Sequence, residues 1–299
     1  MTRTRILAAC LPALFVVASG CNVFDSATEA TSNDPRLLIA DAESAMQGGK
    51  PEQAVALLEK AVERSEPASF VRSKAQLRLG TAELKVAGVN VLAFERVVTD
   101  LSNRFDGPGA MGKSSAPVCS FPADHVRGDV IDLDAVDGYV ELRSKTALLA
   151  RVRSLVAEAL GLPALPPPGF DLNARLNAFR AKGADDALVA EALVNASLSF
   201  IGTAYDRIAT AGGDEILWVK VTPPGGKAYL GYCAPSQAVL DRVKVETACA
   251  MTDLSLSVQM LRARARFYPT GALAHELADK AVEAYGRLET ELNGVCTRS

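Results

Sequence analysis

Between residues 34 and 103, apolar positions recur every three or four residues in four successive runs. Leu38, Ala42 and Ala45 share one helical face, and Gly48-Gly49 ends that helix. Pro51 fits the first turn of the next helix, whose stripe is Ala54, Leu58, Ala61 and Val62. A second pair follows, with Phe70, Leu77 and Leu84, a break at Gly88, and then Ala93, Val97 and Leu101. Helical spacing returns at Leu148, Val152, Leu155 and Ala159, before the stiff break GLPALPPPG at 161–169. A short helix is expected over 172–182, then a longer one with Val194, Leu198, Ile201, Tyr205 and Ile208 on one stripe. Two helices close the chain on either side of Pro269 and Gly271. Leu240, Val243, Ala250, Leu254, Leu261 and Ala265 line the first; Leu273, Leu277, Ala284, Leu288 and Leu292 line the second. The text changes character only at 216–232, where Ile216 to Val221, a Pro-Pro-Gly-Gly turn and Ala228 to Tyr232 predict a β-hairpin. Residues 105–138, rich in Gly, Pro and Asp, read as an irregular loop. The predicted fold class is all-α: helical hairpins packed on a further helical bundle spanning 139–296, with the one small β-hairpin inserted near 216–232.

The two leading helical pairs resemble the tetratricopeptide repeat. Leu38, Ala42, Ala45, Gly49, Ala54, Leu58 and Ala61 match its spacing of small and apolar residues, with Pro67 one place late. Leu77, Thr81, Leu84, Gly88, Ala93 and Val97 match a second copy, displaced by 39 residues, in which Asp100 holds a usual small apolar site. The resemblance covers residues 34–104. It implies antiparallel helix pairs whose first helices line a groove for a peptide or protein segment, here around Asp41, Met46, Lys74 and Arg78. Two such pairs bury little alone, so the later helices are expected to cap them.

At the amino terminus, Arg3 and Arg5 precede an apolar run over 6–17 and the small residues Ala18-Ser19-Gly20, the layout of a secretory signal. The run is too short for a permanent span. The junction Ala18-Ser19-Gly20-Cys21 resembles the lipobox of bacterial lipoproteins. That resemblance implies cleavage after residue 20, a lipid on Cys21, and residues 21–33 as a flexible tether. Asn22, where Asp tends to hold enteric lipoproteins at the inner membrane, leans the expectation to the outer membrane. The protein would then face the periplasm from a lipid anchor.

This compartment changes how the cysteines are read. With Cys21 lipidated, Cys119, Cys233, Cys249 and Cys296 remain in an oxidising environment, enough for two disulfides in three connectivities. Cys119 and Cys233 sit in loop text and Cys249 and Cys296 on or near the last helices, so Cys119–Cys233 and Cys249–Cys296 is the expected pairing.

Removing the signal takes away Arg3 and Arg5 and no acid, which moves the formal charge from −3 to −5. A mildly acidic chain without a basic patch argues against a nucleic-acid partner. Residues 107–114, GPGAMGKS, match the phosphate-loop pattern by letter, but that chemistry needs a strand before the loop and a helix after it. An amphipathic helix end precedes, and Pro117 and Pro122 follow, so no nucleotide site is expected. Asp129, Asp132, Asp134, Asp137 and Glu141 crowd around Gly138 with one residue too many for a calcium loop. The two histidines, His125 and His275, lack the neighbours of a metal site or a catalytic triad. The expected function is thus a non-enzymatic adaptor or scaffold in the cell envelope, with no cofactor or metal, binding an envelope protein or peptide segment. The alternative is a periplasmic small-molecule binding component of a transporter, which would call for an enclosed apolar pocket near Trp218 and Tyr229.

Overall fold

The computed structural model describes residues 33–106, 118–163, 170–226 and 228–267. Helix α1, Pro35–Gln47, starts under the Asp34 carboxylate, which accepts from the Arg36 amide at 2.9 Å. It stops at Gly48-Gly49, where Gly49 takes a φ of +73°. Helix α2, Pro51–Arg64, folds back on it, and α3, Phe70–Val86, packs on α2 in turn. The contact surface of these three is built from Leu38, Ala42, Ala45, Ala54, Leu58, Ala61, Ala75, Leu79 and Ala82. So many alanines let the helix backbones approach closely, with Leu38 and Leu58 filling the remaining space.

Helix α3 has a second apolar face. Leu77 and Leu84 belong to the main core, together with Phe94 of α4 (Val91–Asp106). Beyond the short α5 (Tyr139–Arg143), helix α6 (Thr146–Leu160) lies against α3 in the opposite direction: Arg72 meets Glu158 at 3.2 Å and Glu83 meets Arg151 at 2.8 Å. Gly80 permits this approach, since a Cβ there would stand 3.3 Å from Val152 Cγ1. Thus α3 packs most extensively on α2 and α6.

Helices α7 (Leu172–Ala181), α8 (Asp186–Gly212) and α9 (Gln237–Phe267) complete the main core, where Leu149, Val152, Leu176, Phe179, Leu193, Phe200, Leu256 and Met260 meet. The α8–α9 contact is the largest between any two described elements, and the buried hydroxyls of Ser197 and Ser257 bridge it at 2.6 Å. The stretch from Asp186 to Ala204 is the one described segment long and apolar enough to cross a membrane, but 83% of its best window is buried inside the fold. It is a core helix by its surroundings.

Between α8 and α9 lie a 3₁₀ turn, Gly213–Glu215, and the strands β3 (Leu217–Thr222) and β4 (Tyr229–Ala234). Here the expectation of a lone hairpin needs correction. The hairpin is the centre of a four-stranded antiparallel sheet of order β1-β4-β3-β2, flanked by β1 (Val118–Cys119) and β2 (Val126–Val130). Both flanking strands fall inside the stretch read as an irregular loop. Two residues carry no alternation, and VRGDV offers none, because β2 is an edge strand with a register shift between Arg127 and Val130. Gly128 fits where a Cβ would be 3.3 Å from the Lys220 backbone oxygen.

Candidate functional site

A wide concavity opens where α6, the last turns of α8, the 3₁₀ turn and the first third of α9 meet. It has a volume of about 780 Å³ and is open to solvent. Its charged walls are Arg153, Asp206, Arg207, Glu215, Arg242 and Glu246, with Ala150, Thr203 and Thr210 between them. Behind them sits Asp253, whose side chain is wholly buried. Arg153 donates to one Asp253 oxygen at 2.6 Å and Arg207 to the other at 3.2 Å. The Arg153 guanidinium also lies 4.6 Å from the centre of the Phe200 ring. Burial pushes the Asp253 carboxyl above its ordinary range, against the pull of the two guanidiniums. Burial likewise lowers Arg153 from its ordinary value, and Asp253 offsets part of that shift.

Toward the rim, Glu246 stands 3.7 Å from Arg207. Arg242 donates to the Ala211 carbonyl at 2.8 Å, capping the end of α8, and its other nitrogen is 3.9 Å from Glu215. Among the described residues, Asp206 accepts one long hydrogen bond, 3.4 Å, from Thr210 one turn along the helix. The same residue also lines a small crevice of Phe94, Val97, Tyr139, Leu142, Arg143, Thr146 and Gly202 on the adjoining face of α8.

The sequence reading did not find this cleft. Arg153, Arg207 and Asp253 are about fifty residues apart, with no spacing motif to join them. One signal was available: Asp253 lies on the α9 face between the buried Ala250 and Leu256, where a charge interrupts an apolar stripe.

The residues assigned to a groove fall elsewhere. Lys74 and Arg78 come together on Glu43, at 3.1 and 3.0 Å. Arg78 also pairs with Glu191 of α8, and Asn195 donates to Thr81 at 2.6 Å, so α8 meets part of this face from within the chain. Met46 packs, partly buried, on the α1–α3 core, and Asp41 is half-buried nearby.

Cys119 and Cys233 are joined, S–S 2.04 Å, at directly facing positions of β1 and β4. Cys249 is disulfide-bonded as well; its expected partner Cys296 lies outside the described residues, as do Cys21, the signal, the tether, His275 and GPGAMGKS. The last is preceded by a helix, α4, and followed by a strand, β1, the reverse of the order a phosphate loop needs. In the acidic stretch, Asp132 accepts from the Asp134 amide at 3.0 Å, Asp134 faces Arg143 at 3.5 Å, and the Asp137 amide donates to Asp100. No group of three His, Cys, Asp or Glu among the described residues has metal-binding geometry. His125 stands 3.9 Å from Asp124, and Trp218 packs on Tyr232 with ring centres 5.7 Å apart.

No known protein family matches the chain, and it has no significant match among curated proteins or solved structures.

Proposed function

We propose that this chain is a lipid-anchored, periplasm-facing lipoprotein, more in keeping with the outer membrane than the inner, that acts as a non-enzymatic adaptor by binding a protein or peptide segment in the cell envelope. The observation that carries the binding role is the wide, solvent-open, charge-lined cleft between α6, α8 and α9. An open cleft suits a segment of another chain, whereas a transported small molecule is usually enclosed on most sides. The Cys119–Cys233 bond fits an oxidising compartment, and Cys249–Cys296 is the pairing we assign to the second bridge. In this reading α1–α4 are degenerate tetratricopeptide-like pairs, capped by the later helices.

The layout of the helices also suits an anchored adaptor. The start of α1, where the tether would enter, lies at the same end of the bundle as the start of α3. Gly183, just before α8, faces Phe70 there. The cleft lies past Thr203, toward the other end of α8, roughly 30 Å further along at 1.5 Å per residue. A tether from Cys21 would then join the bundle at the end opposite the cleft.

The test is isolation of the lipidated protein from detergent-solubilised membranes, with Cys21→Ala as control. A discrete stoichiometric protein partner, and loss of acyl label and membrane attachment in Cys21→Ala, are the expected results. A co-purified small molecule in place of a protein, or lipidation that persists without Cys21, would refute the reading.

A further inference from the structure

We propose that the cleft at the end of α8 holds a cationic group with Asp206 as its counter-ion, and that the cation is a lysine or arginine side chain of the bound segment. This deepens the adaptor reading and rests on it. Arg153 and Arg207 share the buried Asp253, and Arg207 also faces Glu246. Arg242 faces Glu215. Each arginine of the cleft is thus matched by a carboxylate. Asp206 is left over, since among the described residues no cation lies within ion-pair distance of it. An anionic ligand could not use Arg153 or Arg207 without drawing it away from the buried Asp253, which leaves it Arg242, already shared between Glu215 and the Ala211 carbonyl.

Two further features favour a cation. The site lies in the last two turns of α8, where backbone carbonyls supply partial negative charge. Arg143, across the crevice, is already paired with Asp134. At about 780 Å³ the cleft exceeds one side chain, leaving room for neighbouring residues of a segment.

The experiment uses the full-length protein in detergent and a fluorescein-labelled pentalysine amide, read by anisotropy. Saturable binding is expected, with no binding of the peptide whose lysines are Nε-acetylated. Asp206→Asn should weaken it roughly tenfold or more, and Asp206→Glu should retain it. Thr210→Arg places a guanidinium one turn from Asp206 and should abolish binding by occupying the carboxylate. Both positions line an open cleft, and an unchanged melting temperature verifies the fold. Equal binding by Asp206→Asn or equal binding of the acetylated peptide would overturn the proposal. Displacement by spermidine at matched charge concentration would overturn the peptide source and assign the amine to a free polyamine. A protein partner that co-purifies equally with native and Asp206→Asn protein overturns the cleft assignment while the adaptor reading stands. Pentalysine binding without any co-purified partner supports the cation site and removes the adaptor reading.

Discussion

Arg153 of α6 donates to Asp253 of α9 at 2.6 Å, and the carboxylate it reaches has no exposure to solvent. Arg207 of α8 takes the other oxygen, so one buried carboxylate ties together the three helices that wall the cleft. Removing it takes away the buried carboxylate that both guanidiniums share and leaves Arg207 with Glu246. Asp253→Ala is therefore expected to lower the unfolding free energy by about 3–5 kcal/mol, read by urea denaturation. Replacing Arg153, Arg207 and Asp253 together by apolar residues of similar volume should recover most of that. A loss below about 1 kcal/mol for Asp253→Ala would show that the triad is dispensable to the fold.

This triad also marks where sequence reading stops. The apolar spacing in α1, α2, α6 and α9 is legible because each helix buries an apolar stripe at helical spacing, and Leu38, Leu58, Val152 and Leu240 are buried as read. Helix α3 is harder. Its Leu77 stripe was visible, but Ala75, Leu79 and Ala82 form a second face toward α1 and α2, and two opposed faces blur the period. Strands β1 and β2 were missed because edge strands gain their order from neighbours far downstream in the chain, Ala234 for Val118 and Thr222 for Val126, not from alternation. The cleft needs helices α6, α8 and α9 brought together, which no local pattern encodes.

Gly202 predicts a steric limit on the α6–α8 contact. A Cβ there would stand 2.3 Å from Leu149 Cδ1 and 3.3 Å from its Cβ, and Leu149 is fully buried. Gly202→Ala should therefore cost about 1–3 kcal/mol despite its better helix propensity. Adding Leu149→Ala should cost less than the two single losses combined, because the new methyl occupies vacated space. Additive losses in the double-mutant cycle would place the strain elsewhere.

Glu83 should impose a pH dependence on stability. One of its oxygens pairs with Arg151 at 2.8 Å; the other is buried without a hydrogen bond. Burial raises its carboxyl above the ordinary 4.5, Arg151 draws it down, and Glu59 raises it further. The folded state then holds the proton more tightly than the unfolded chain. The stability this provides is present below the unfolded value and is lost as pH rises through the folded one. Relative to Glu83→Gln, the native protein should lose stability as pH rises upward from 4.5. Chemical denaturation of both proteins at a series of pH values measures this. A difference that is flat, or that grows in favour of the native protein with rising pH, contradicts the assignment.

Cys119–Cys233 clips a two-residue strand to the sheet across a separation of 114 residues. β1 has few ladder bonds of its own, so the covalent link is its main restraint. Non-reducing peptide mapping should recover residues 119 and 233 in one linked fragment, and alkylation of the native protein should label neither. Cys119→Ser with Cys233→Ser should lower the unfolding free energy by about 2–5 kcal/mol, mostly through a less restricted unfolded chain. The loss should fall first on β1: amide exchange at Ser120, which donates to the Tyr232 carbonyl at 2.9 Å, should accelerate before exchange along β3 and β4. Uniform acceleration across all the strands would mean that the bond holds the whole sheet in place, not β1 alone.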